Sequence, residues 1–331
     1  GGRGGLDEDT RALQAAASLV YKRASEELRG FGCVENEWAE PRQDISPTLL
    51  EEITGLNITA LTPGQRPTLW PLIGAAVFAA EYAAGRALGV DPLTTVMPAT
   101  LGLLLVDQVA LRGAAFEKAV QALLPSRRER IIRHEAGHLL AAYLLGCPVE
   151  RCVVDPWKAR AEPRFRGQAG TVFFDPRLGD EVRRGQVTRT SIDRYSVVVM
   201  AGIAAEAIAY GRAEGGAVDE AALISFLAGV SPPWDIFRVQ SQARWAVAQA
   251  VLLIREHEAA LDAVVAALER GAGVGDVVLA IEDALPAELP VTRRKLAKAQ
   301  EDRDMSNDLL LRWGRRRQGK FVREILNVDD E

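Results

Sequence analysis

A mainly α fold with a short β element (α+β) is the architecture this sequence predicts. Three observations carry it. Long stretches repeat apolar residues at helical spacing and stop at glycine or proline. Only two short runs, Val149 to Val154 and Gly170 to Phe174, read as strands. The composition, 48% apolar and 26% charged over 331 residues, is that of an ordinary globular chain, with length for roughly two domains. Four regions follow: a helical and loop region at 1–66, an apolar helical pair at 67–124, a domain at 125–290 and a charged tail at 291–331.

The net charge of −5 provides no overall basic field, which argues against a nucleic-acid partner. Cys33, Cys147 and Cys152, an odd and sparse set, read as free thiols in a reducing compartment, and without CxxC spacing they argue against a zinc-thiolate site. The chain starts Gly1-Gly2-Arg3-Gly4-Gly5 without Met, as a processed or trimmed product would.

Residues 7–30 have a helical rhythm through Leu13, Ala16, Val20 and Leu28, and 31–66 reads as loop with a short helix. Thr68 to Ala80 and Pro92 to Val106 are uncharged. Extended through Gly89 and Leu111, they form either a membrane hairpin with one or two buried charges or a pair of buried core helices. Ser126-Arg127-Arg128-Glu129 has the form of a capping box, opening a helix to Leu145 that Gly146 and Pro148 stop. The two strands follow, with an Arg-, Pro- and Gly-rich loop between them. Next come a helix from Ser191 to Tyr210, a Gly215-Gly216 turn and a helix from Val218 to Leu227. Pro232-Pro233 is a break; Arg238 to Arg270 is one long helix or a bent pair, and Val274 to Leu285 another helix. The basic knot Arg315-Arg316-Arg317 with Lys320 reads as part of a solvated helix and mobile end.

His134-Glu135-Ala136-Gly137-His138 is an HExxH pattern. Residues four apart on a helix share a face about 6 Å apart along the axis, so both imidazoles can converge on one zinc ion. Glu135, one step round, lies beside such an ion rather than on it. There it can take a proton from water acidified by the metal to a pKa of about 7 and return it to a leaving amine. Gly137 lets a neighbouring element approach closely. Two of only three histidines fall four apart with Glu directly after the first, which chance seldom produces. Zinc needs a third protein ligand. His257, in Arg255-Glu256-His257-Glu258, reads as solvated, which leaves the acids Glu206, Glu214, Asp219 and Glu220. An acid at a helix start, such as Asp219, is also explained as a cap.

HEAGH at 134–138, Ala201-Gly202-Ile203-Ala204-Ala205-Glu206 and Gly216-Ala217-Val218-Asp219 together resemble the peptidase domain of the FtsH-like zinc metalloproteases. That family has HEAGH, an AGRAAE-like helix and a GASND-like turn. The resemblance covers roughly 126–285, including Gln242-Ala243-Arg244 on the next helix. It implies zinc held by His134, His138 and Asp219, Glu135 as general base, and Glu206 orienting a ligand imidazole. The departures are Ile203 where the family has Arg, a longer loop from Asp155 to Gln168, and no GxxxxGKS/T phosphate loop in these residues. The chain is thus similar to the plant and cyanobacterial FtsH-like proteins that lack the ATPase. The resemblance implies an ATP-independent zinc metalloendopeptidase that cuts unfolded or flexible protein segments. It implies protein or peptide substrates, homo-oligomers, membrane association through 68–111, and a chloroplast location or a bacterial cytoplasm or membrane. By fold analogy, the strand at Gly170–Phe174 would pair with an extended peptide.

Two other readings compete. A catalytically silent scaffold or chaperone-like partner would keep the zinc helix for folding, but it would not need Glu135. An intramembrane protease would place Arg127, Arg128, Arg130 and Arg133 in lipid, at a cost that sets it aside.

Overall fold

A computed structural model describes residues 12, 14–21, 27–34, 45–64, 70–161, 165, 168–286 and 311–313. The basic knot at Arg315 to Lys320 and, of the N-terminal rhythm, residues 7–11, 13 and 22–26 lie outside them. The fold is mainly helical, as the periodicity predicts. The chain divides into two compact units: residues 1–63, 132–152 and 171–331 in one, 64–131 and 153–170 in the other.

In the first unit, residues 14–21 are helical, and the short helix expected in 31–66 is α1 (Pro47–Thr54). Ser46 caps it, and Pro47 sits at its first turn. In the second unit the apolar stretches form α2 (Trp70–Ala87) and a continuous helical run from Pro92 to Leu111. The centre of that run is α3 (Met97–Val106), flanked by π-helical turns. They fold back on each other at the left-handed Gly89. A Cβ at Gly85 would stand 2.9 Å from Pro92. The buried-core alternative does not hold for these side chains: Leu103 is 71% and Val109 75% exposed. Pro92–Leu111 is long and apolar enough to cross a membrane.

α4 (Ala114–Leu123) leads to α5 (Pro125–Leu144). The expected capping box does not form, because the helix opens two residues earlier than a Ser126 cap would place it. Pro125, with its φ already helical and no N–H to satisfy, takes the first position, and this puts Ser126 inside the helix. β1 (Val149–Val153) pairs with β2 (Gly170–Phe173), and the loop between them holds a helix the sequence reading missed, α6 (Pro156–Ala161). Also missed was α7 (Pro176–Arg183), capped by Asp175, whose side chain accepts from the backbone N–H of Arg177 and Leu178.

α8 (Arg189–Tyr210) starts two residues before the expected Ser191. The side chain of Thr188 caps it, and the left-handed Gly211 ends it. Every residue from Ser191 to Ala207 is buried, so α8 is the core of its unit. α9 (Ala217–Ala228) and α10 (Ile236–Glu256) pack against it. The long stretch after Arg238 is a bent pair: α10 ends at His257, and α11 (Glu258–Glu269) follows, packed on α12 (Val274–Ala284). His257 is therefore not solvated. It is 6% exposed, and its Nδ1 donates to the Leu253 carbonyl at 3.0 Å, satisfying one of the last acceptors of α10. Two-residue strands β3 (Gln186–Val187) and β4 (Val230–Ser231) flank β5 (Leu311–Trp313), both antiparallel to it. Val187 stands opposite Leu311, and Val230 opposite Trp313.

Candidate metal centre

α5 brings His134 and His138 to one face, because four residues is close to one helical turn. Their Nε2 atoms lie 3.0 Å apart, with the rings edge to face. α9 supplies the third donor. Its N-terminal cap position is Gly216, whose φ of +99° only glycine adopts freely, so Asp219 is released from capping. Asp219 Oδ2 lies 3.0 Å from His134 Nε2 and 3.6 Å from His138 Nε2. Donors at about 2.0–2.1 Å from a tetrahedral ion stand about 3.3 Å apart, and these separations bracket that spacing. The group could hold a metal ion. Two imidazoles and one carboxylate also fit the donor chemistry of a zinc site with an open fourth position. Neither Glu214, Glu220 nor His257 belongs to a metal-holding group among the described residues.

Each imidazole is fixed from behind. His134 Nδ1 lies 2.8 Å from Glu206 Oε1, and His138 Nδ1 donates to the Val198 carbonyl at 2.8 Å. These bonds hold the Nε2 atoms toward Asp219. Glu206 is itself held: it is 2% exposed and accepts from the backbone N–H of Glu214 at 3.0 Å and Gly215 at 3.1 Å. Burial works to raise its carboxyl pKa, but the bond to His134 and the two backbone donors outweigh it and keep Glu206 ionised. Burial likewise opposes a charge on His134. The carboxylates of Asp219 and Glu206 on its two nitrogens prevail and raise its pKa to about 10. A cation entering the group therefore has to displace that proton.

Two glycines make the geometry sterically attainable. A Cβ at Gly137 would stand 2.5 Å from the Ala201 carbonyl oxygen, so its absence lets α5 lie directly on α8. A Cβ at Gly202 would stand 2.5 Å from His138 Nε2 and 2.6 Å from His134 Nε2, in the space the two rings use.

Glu135, one step round α5 from His134, meets the β1–β2 sheet. It is 7% exposed, and burial raises its pKa against the pull of the two imidazoles. The Thr171 hydroxyl donates to Glu135 Oε2 at 2.8 Å and lies 3.3 Å from Cys152 Sγ. Burial and the charge of Glu135 push the Cys152 thiol up to about 12, which keeps it protonated and unreactive. No sequence motif marks Thr171. It lies in a strand with no motif around it, and only the folded sheet brings it to Glu135.

The structure thus gathers His134, His138 and Asp219 into one donor group, with Glu206 behind His134 and Glu135 alongside. In comparisons with known proteins, no family model, curated protein or solved structure matches this chain.

Proposed function

We propose that the chain is a zinc metalloendopeptidase that cleaves unfolded or flexible protein segments without nucleotide. The observation that carries this reading is the convergence of His134, His138 and Asp219, with a buried, ionisable Glu135 beside them and on none of their ligand positions. A structural zinc site would be closed by a fourth protein ligand and would have no use for that acid. When bound, zinc supplies Lewis-acid polarisation of a peptide carbonyl and acidifies water.

The protein's own residues do the rest. Glu206 and the Val198 carbonyl fix the two rings, so the donors are set before anything binds. Glu135 accepts a proton at one carboxylate oxygen and delivers it to the leaving amine. Thr171 holds Oε2, which fixes the carboxylate plane, and the raised pKa makes Glu135 a stronger base than an exposed glutamate. Among the described residues the strand β2, which carries Thr171, pairs with β1 alone, and we propose that its other edge pairs with an extended peptide. The test is digestion of denatured, fluorophore-labelled casein by the zinc-loaded full chain without ATP. The reading requires cleavage that a chelator stops and added zinc restores; no cleavage under any metal condition would overturn it.

We also propose that Pro92–Leu111 crosses a bilayer, with α2 returning beside it, in a chloroplast or bacterial membrane. At 1.5 Å per residue its 20 residues match a hydrocarbon core of about 30 Å. Only 6% of its most apolar window is buried. Its single charged residue, Asp107, is satisfied within the unit, accepting from the backbone N–H of Ala115 at 3.0 Å and Phe116 at 3.1 Å. Glu81 of α2 accepts from the Thr100 hydroxyl at 2.7 Å. Paired acids of this kind are what an apolar span tolerates. Full-length protein mixed with phosphatidylcholine vesicles is expected to float with them through a sucrose gradient at high salt. Protein left at the bottom would contradict the span.

A further inference from the structure

Among the described residues β3 and β4 do not pair with each other; each pairs with β5, which lies between them. Without β5 their edges would face each other across two strand spacings, about 10 Å. β5 is joined to the described part of the chain through residues 287–310, and it fills that gap with three residues, antiparallel to both neighbours. Val187 and Val230, both buried, stand opposite the apolar residues Leu311 and Trp313. A strand so short contributes few backbone bonds, and pairing of this kind is how an extended peptide joins a sheet edge. The gap is separate from the metal donors. Val198 lies about 15 Å along α8 from Thr188, and Asp219 about 14 Å along α9 from Ala228.

One end of the gap carries its own chemistry. Because β5 is antiparallel to both neighbours, both run on past its Leu311 end, β3 into Arg189 and β4 into Trp234. There the two meet: the Arg189 guanidinium lies 4.8 Å and the Arg238 guanidinium 4.2 Å from the centre of the Trp234 ring. Arg189 also donates to Gln242 at 2.9 Å and lies 3.4 Å from Asp193, while Asp235 is occupied in capping α10. Trp234 is 8% exposed, and its Nε1 is buried with no hydrogen-bond partner among the described residues. A buried donor seldom goes unmet, and an indole N–H beside guanidiniums calls for an anionic acceptor.

We propose that the gap between β3 and β4 is a docking site for an extended segment of another polypeptide, one with an acidic residue shortly before an apolar strand. The chain's own tail has that pattern, with Asp308 three residues ahead of Leu311, and it fills the gap in the free protein as a tethered competitor. The backbone of the incoming segment takes the place of β5, and its acid is selected by Arg238 and the Trp234 N–H. Docking here requires no metal and no cleavage.

The test is fluorescence anisotropy with a fluorescein-labelled peptide of residues 306–314 and the metal-free full chain. Arg312→Pro puts a residue without an N–H where β5 meets both neighbours, and so releases the tail. It should bind the peptide at least about tenfold more tightly than wild type, whose tail competes at an effective concentration of about 1 mM. The same peptide carrying Asp308→Ala should bind the variant about tenfold more weakly. Asp308→Ala in the full chain loosens the tail without touching a paired residue, and should raise affinity for the unaltered peptide about threefold or more. Equal peptide affinity in wild type and both variants would overturn the proposal. So would a melting temperature lowered by more than about 10 °C in Arg312→Pro, which would make β5 a fixed part of the core. A wild type that elutes as a dimer beside a monomeric Arg312→Pro would assign the gap to the tail of a second copy, and would also overturn it.

Discussion

Replacing Glu135 with Gln is expected to leave about one zinc per chain and to lower casein hydrolysis at least about 1,000-fold, the loss of a general base. The substitution is close to neutral for the fold. Glutamine has the same shape, and its amide oxygen can still accept from the Thr171 hydroxyl, which now donates to Glu135 Oε2 at 2.8 Å. It also removes a buried charge whose ionisation the site opposes. What it cannot do is accept and return a proton. Retained zinc with lost hydrolysis would therefore assign proton transfer to this residue. Wild-type protein that hydrolyses nothing alongside an equally inert variant would favour a silent scaffold.

A second large effect is expected at Gly202. In Gly202→Ala the new methyl would stand 2.5 and 2.6 Å from the two Nε2 atoms, closer than any relaxed contact. The rings have nowhere to retreat, since Glu206 and the Val198 carbonyl hold their far sides at 2.8 Å. Moving α8 back from α5 would open the close crossing at Gly137, where a Cβ would stand 2.5 Å from the Ala201 carbonyl oxygen. We expect zinc affinity to fall by about 100-fold or more, beyond the usual effect of disturbing a group that orients a ligand. Overpacking should add about 1–3 kcal/mol of destabilisation. Gly275→Ala is the matched control. It lies in α12 with nothing within 4 Å of its added methyl, and should be neutral or slightly stabilising with zinc unchanged. Calorimetric zinc titration and thermal denaturation of both variants check this.

What could be read from the sequence divides by distance along the chain. His134 and His138 were legible because four residues on one helix set their geometry locally. Asp219 lies 85 residues on, and composition and spacing left it level with Glu206, Glu214 and Glu220; only the resemblance selected it. Thr171 had no local signal, since what makes it interesting is contact across elements. The helix α7 could have been found, for Asp175-Pro176 is a cap followed by a first-turn proline, yet the surrounding Arg, Pro and Gly masked it. His257 was misread because its neighbours are charged. The break between α10 and α11 turns the ring inward, out of the helical register that its sequence implies. The apolar run at 92–111 was legible as apolar, and its exposure required the fold.

The account rests on His134, His138 and Asp219 gripping one ion. Its most direct test is elemental analysis of full-length protein loaded with zinc and dialysed against metal-free buffer, wild type beside Asp219→Ala. The account predicts about one zinc per wild-type chain and a loss to less than about a tenth of that in the variant, since two imidazoles alone hold the ion poorly. Wild-type protein without zinc, or a variant that keeps its full complement, would contradict it.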